Sequence, residues 1–100
     1  VYQAYAKYIW AVRVYAGRTR RRNMTKADEA YALLSEMIES GALEPGGFHT
    51  EAALVEMTEF GRTPVREAVQ RLDRDHLLRI HTGRGVEIPG LGVAAPRIHD

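Results

Sequence analysis

A mostly α domain closed by a small β-hairpin is the fold class this sequence predicts, and three observations predict it. Residues 24–43 carry apolar side chains at helical spacing between two marked ends. A sharper amphipathic pattern runs from Arg62 to about Asp75, with a shorter helical stretch before it. Residues 78–88 alternate in the strand manner about a glycine-rich turn. Three helices followed by a hairpin is the layout of a winged helix-turn-helix.

The first helix opens at Thr25, an N-cap residue with Asp28 three positions on, a weak form of the capping box. Asp28 and Glu29 suit the positive end of the helix. Ala27, Ala30, Tyr31, Leu34, Met37 and Ile38 supply its core face, and Gly41 can take the left-handed position that ends it. Pro45-Gly46 then turns the chain. Thr50 is the expected N-cap of a short second helix ending near Glu59, with Ala53, Leu54 and Met57 facing inward.

The third helix explains an unusual run, Phe60-Gly61-Arg62-Thr63-Pro64-Val65-Arg66. The first N–H groups of a helix have no internal partner, so the N–H that proline lacks is not missed at Pro64, and its fixed φ favours the first turn. At ~100° per residue, Val65, Ala68, Val69 and Leu72 fall in one sector, while Arg62, Arg66 and Gln70, flanked by Thr63, form another centred ~120° away. One sector suits a core. The other presents arginines outward, at a helix entrance whose dipole favours anions and whose guanidinium groups suit guanine O6 and N7. Beyond it, Leu78 and Ile80 precede the turn Thr82-Gly83-Arg84-Gly85, and Val86 and Ile88 follow it.

The 100-residue chain fits one domain. It has no cysteine, hence neither a disulfide framework nor a thiolate metal site, as a reducing cytoplasm would allow. No apolar stretch reaches the ~18 uninterrupted residues of a membrane span. The net charge of +1 conceals a strong polarity: residues 1–23 carry +6 with no acid, residues 24–60 carry −7, and residues 61–85 carry +3. Basic residues gathered in this way suit a polyanionic partner.

Residues 1–23 form a basic, aromatic N-terminal extension. Tyr5, Ile9, Val12 and Ala16 recur at helical spacing with Gly17 as a possible terminator, but Tyr8, Trp10, Val12 and Val14 alternate as in a strand, and periodicity leaves both open. The aromatic part can pair two chains or cover an apolar patch. Arg18, Arg20, Arg21 and Arg22 read either as an arm along DNA phosphates or as a basic linker.

The run Gly61 to Ala68, with Leu72 after it, resembles the V-S-R-T-P-V-R-E-A-L signature of GntR-family transcriptional regulators. Ile38, Gly41, Leu43, Pro45-Gly46, Glu51 and Leu54 are similar to that family's I-x-x-G-x-L-x-P-G…E…L pattern, and Arg84-Gly85 matches its wing. The resemblance covers residues 27–88 and implies an N-terminal winged helix-turn-helix of FadR-like type over 24–89. Residues 90–100 then begin a linker to a C-terminal effector domain outside this sequence. It further implies a bacterial, cytoplasmic regulator, most simply a repressor, acting as a homodimer on operator DNA. Arg62, Thr63, Arg66 and Gln70 would read bases, and Thr82, Gly83 and Arg84 would reach the minor groove or its phosphates. A small-molecule effector would act only through the C-terminal domain.

Departures from the pattern carry expectations of their own. Gly61 replaces the usual serine N-cap, Ala52 stands where some fatty-acid-responsive members place arginine, and His76 replaces a glycine after the helix. Thr58 and His49 replace apolar residues, which implies a weaker core. Glu51, Glu56 and Glu59 have no nucleophile, phosphate loop or metal cluster beside them, and the four histidines lack metal-ligand spacing. No enzyme activity, metal or cofactor is therefore expected, and these acids are read as keeping the face away from DNA negative. The rival reading is a winged-helix protein-interaction module without DNA readout.

Overall fold

The computed structural model describes residues 4–19 and 24–90. In chain order the elements are α1 (Ala4–Thr19), α2 (Lys26–Ser40), β1 (Phe48–His49), α3 (Glu51–Thr58), α4 (Arg62–Arg74), β2 (Arg79–His81) and β3 (Gly85–Glu87). Four helices stand against one antiparallel sheet of order β1-β3-β2. The predicted winged helix is present, with a helix and a strand more than the sequence reading supplied. All of the expected linker 90–100 except Gly90, and the basic cluster Arg20, Arg21 and Arg22, lie outside the described residues.

The ends of α2 form as their residues dictate. The Thr25 hydroxyl accepts the Asp28 amide at 3.0 Å and Asp28 Oδ2 accepts the Thr25 amide at 3.0 Å, a complete capping box. Gly41 takes φ 88 at the other end, a backbone state that a Cβ would penalise. Ala30, Leu34 and Met37 are fully buried, as predicted, while Tyr31 and Ile38 are only half-buried. Ala32 and Leu33 are buried too, because α2 has a helix on either side, α4 and α1.

The ambiguity of the N-terminal segment resolves as a helix. Tyr8, Ala11 and Val12, at i, i+3 and i+4, are buried, and Tyr8 joins the core formed with Leu33, Leu34 and Met37. Of the helical stripe read from the sequence, Val12 is buried, while Ile9 and Ala16 are half-exposed. The helix kinks at Tyr8 (φ −111°, ψ 16°) and continues through Gly17, so that glycine does not end it.

A polar clasp joins three helices. Asp28, only 2% exposed, accepts a hydrogen bond from Arg71 Nη1 at 2.9 Å, and Arg71 Nη2 donates to the Tyr15 hydroxyl at 2.8 Å. The same guanidinium lies 4.6 Å from the centre of the Tyr31 ring, whose hydroxyl donates to Asp75 at 2.6 Å. Burial and the Asp75 carboxylate raise the Tyr31 pKa to about 12, because both disfavour a phenolate. Partial burial works against the Arg71 charge, but the Asp28 hydrogen bond and the Tyr15 contacts outweigh it and leave the Arg71 pKa raised. The sequence reading treated Asp28 as a cap alone and gave Arg71 no role.

The two residues expected to weaken the core differ in outcome. Thr58 is fully buried, but its hydroxyl donates to the Leu54 carbonyl at 2.8 Å and is satisfied inside its own helix. His49 Nε2 is buried with no hydrogen-bond partner, the costlier arrangement. His76 takes φ 66°, as its place after α4 requires.

Candidate nucleic-acid interface

The interface is built on α4. Val65, Ala68, Val69 and Leu72 are buried at 0–2% exposure, while Arg62, Thr63, Arg66 and Gln70 are exposed, so the two sectors predicted from the sequence face opposite environments. Gly61 is extended at the N-cap (φ −71°, ψ 172°) and makes no side-chain cap bond, so the first-turn amides lack a side-chain acceptor.

The wing lies beside this helix because its root is tied down three ways. The Ile80 amide donates to Asp73 Oδ1 of α4 at 3.1 Å, and β3 pairs with β2 (Ile80↔Val86) on one side and with β1 (His49↔Val86) on the other. The outer pairing continues past β1, since Gly46 donates to the Ile88 carbonyl and Ile88 to the Gly47 carbonyl, both at 2.8 Å. Gly85 (φ 148°) crosses β1 so closely that a Cβ would sit 2.6 Å from the His49 carbonyl oxygen and 2.9 Å from the Phe48 ring, a contact only glycine permits. His81 Nε2 and Glu87 Oε1, 2.8 Å apart, link β2 to β3.

Helix and wing form the walls of an open groove of about 590 Å³. It brings together Arg66, Gln70, Thr82, Gly83 and Arg84, five of the residues predicted to contact DNA. Arg62 and Thr63 lie outside its lining, exposed at the start of α4. Arg18 is elsewhere, in the last turn of α1, where it lines a different groove.

Glu51 requires a correction. Far from keeping a remote face negative, it lines this groove, with its Oε1 3.4 Å from Arg66 Nη2. Thr50 caps α3 through the Ala53 amide at 3.1 Å, which sets the first turn of α3, and hence Glu51, against α4. The pair is exposed, 59% at Arg66 and 37% at Glu51, so water screens it and Arg66 remains free to project. Thr50, Ala52 and His81 also line the groove and were not predicted as site residues. The signal for Ala52 was present in the arginine that some family members place there.

The sequence model for bacterial regulatory proteins of the gntR family matches residues 26–88, nearly two thirds of the chain. The chain belongs to the GntR family. The matched segment is that family's DNA-binding winged helix, and it contains α2, α3, α4 and the whole sheet. Among solved structures, a transcriptional regulator (GntR family member) from Pseudomonas syringae pv. tomato str. DC3000 shares the fold, with a TM-score of 0.55 at 21% identity. The likeness covers 86% of this chain but only 38% of that one. No curated protein is similar enough to count as a match. Among the described residues, no helix is long and apolar enough to cross a membrane, and no cluster of His, Cys, Asp or Glu could hold a metal ion.

Proposed function

We propose that this chain binds an operator half-site as the DNA-reading part of a cytoplasmic, bacterial repressor of FadR-like type. The carrying observation is the groove in which Arg66 and Gln70 of α4, both exposed, face Arg84 of the wing, while Val65, Ala68 and Leu72 of the same helix are buried. From Arg62 to Gln70 the helix advances ~12 Å, at ~1.5 Å per residue. That matches three to four base pairs at ~3.4 Å each. On this reading α4 lies in the major groove, Arg62, Thr63, Arg66 and Gln70 face base edges, and Thr82, Gly83 and Arg84 follow the backbone into the adjacent minor groove. Arg20, Arg21 and Arg22 add phosphate contacts. Two copies occupy an inverted repeat, and an effector acts through a further C-terminal domain.

Glu51 shapes the selectivity of the groove. Its carboxylate, 3.4 Å from Arg66 Nη2, repels a phosphate brought close to it, whereas the neutral O6 and N7 of guanine can accept two hydrogen bonds from the exposed guanidinium. Selection of preferred sites from random duplexes, followed by titration against salt, tests the reading. Arg66→Ala should cost about 1–3 kcal/mol on the selected site and little on random duplex. Equal losses on both would refute the base-reading role, and failure to enrich any sequence would favour the protein-interaction reading.

A further inference from the structure

Among the described residues, three large apolar side chains are exposed: Trp10 at 50%, Val14 at 43% and Phe48 at 51%. Two of them stand one turn apart on α1 and line a shallow groove of about 250 Å³ between α1 and α2. Its other walls include Arg18 of α1 and Ala32, Glu36 and Glu39 of α2.

The charges in this groove are ordered. The two helices run antiparallel, as the Tyr8–Ser40 hydrogen bond (3.2 Å) and the Tyr15–Tyr31 ring contact (5.6 Å) require. Glu36 and Glu39 therefore lie beside the Trp10 end, while Arg18 lies ~12 Å along α1 at the other end, at ~1.5 Å per residue. None of the three makes an ion pair with another described residue. A patch that is basic at one end and acidic at the other, with Trp10 at the acidic end and Val14 between, brings unlike charges together when rotated by a half-turn, the condition for a two-fold interface.

We propose that the α1–α2 groove of one copy docks against the same groove of a second copy. Val14 of the two chains meets at the centre, and Arg18 of each chain lies against Trp10 and beside Glu36 and Glu39 of the other. Two antiparallel helical hairpins stacked face to face form a four-helix bundle. With α1 16 residues long, a two-helix face is ~24 Å by ~20 Å, smaller than the ~800 Å² per partner of a standard interface.

This inference deepens the dimer reading given above and is tested without DNA, so its failure would leave the DNA-reading assignment standing. Sedimentation of the full chain over a wide concentration range should show a monomer–dimer equilibrium. Trp10, the sole tryptophan, should move its fluorescence to the blue as dimer forms. Arg18→Glu alone, or Glu36→Arg with Glu39→Arg, should weaken dimerisation at least ~10-fold, and combining all three changes should restore most of it. Circular dichroism on each variant verifies that the exposed substitutions leave the fold intact. A monomer at every concentration would overturn the proposal, as would a dimer indifferent to the charge reversals or one dissolved by Phe48→Ser instead. A monomer whose Trp10 emission shifts to the red when residues 91–100 are removed would place the chain's own tail in the groove, and would overturn it too.

Discussion

Replacing Arg71 by methionine removes the guanidinium from the clasp while keeping most of its apolar stem, and the structure sets the size of the effect. The Asp28 side chain is 3% exposed and that of Arg71 26%, with 2.9 Å between the paired atoms. Removing one partner from a fully buried ion pair costs about 3–5 kcal/mol, but Asp28 keeps the hydrogen bond from the Thr25 amide. Arg71 is about a quarter exposed, so water can reach the vacated position and about 2–3 kcal/mol is expected. For a domain of this size that lowers Tm by about 10–20 °C. The exposed Arg66–Glu51 pair sets the contrast, since Arg66→Ala should change stability by no more than about 0.5 kcal/mol. The assay is a double-mutant cycle in urea with Asp28→Asn, Arg71→Met and the combined variant, in which the second change should hurt less once the first is present. If Arg71→Met cost less than ~1 kcal/mol and the two changes simply added, the buried-charge reasoning would be wrong.

Two further outcomes are expected. Gly85→Ala should destabilise the sheet by about 1–3 kcal/mol through its positive φ and its collision with His49 and Phe48. Hydrogen exchange should show the loss first at the amides pairing β1 with β3, and unchanged protection there would contradict the close approach. For Tyr31 the folded pKa of about 12 lies above the unfolded ~10, so the folded state holds its proton more tightly. The stabilisation is complete below the unfolded value and is lost as pH rises from there through the folded one. Urea melts of the wild type should decline across that window more steeply than those of Tyr31→Phe, whereas parallel curves would show that the folded state holds the Tyr31 proton no more tightly.

What could be read from the sequence was what local chemistry decides. Thr25, Asp28 and Gly41 act within a few residues of themselves, and so did the expectations for the ends of α2. The two sectors of α4 follow from helical periodicity alone, which is why both core and outward residues were legible there. Contacts between distant segments were not. Arg71 meets Asp28 across 43 positions and Tyr15 across 56, and nothing near Arg71 distinguishes it from the exposed arginines on the same helix. Strand β1 is two residues long and exists only because β3 arrives to pair with it. The N-terminal segment carried both periods at once, and packing of Tyr8, Ala11 and Val12 beside α2 selected the helical one.

The place of β3 in the middle of the sheet has a mechanical consequence. Held by a neighbouring strand on each flank, with β2 tethered to α4 through Asp73, the hairpin is a cantilever clamped at its base, and only the Thr82–Arg84 tip is left to flex. The span from Arg66 to the root of the wing is therefore set by the scaffold and not by the nucleic acid. On the proposed mode of DNA binding, duplexes of different groove width adapt to that gauge, or are met by movement of three residues at the tip.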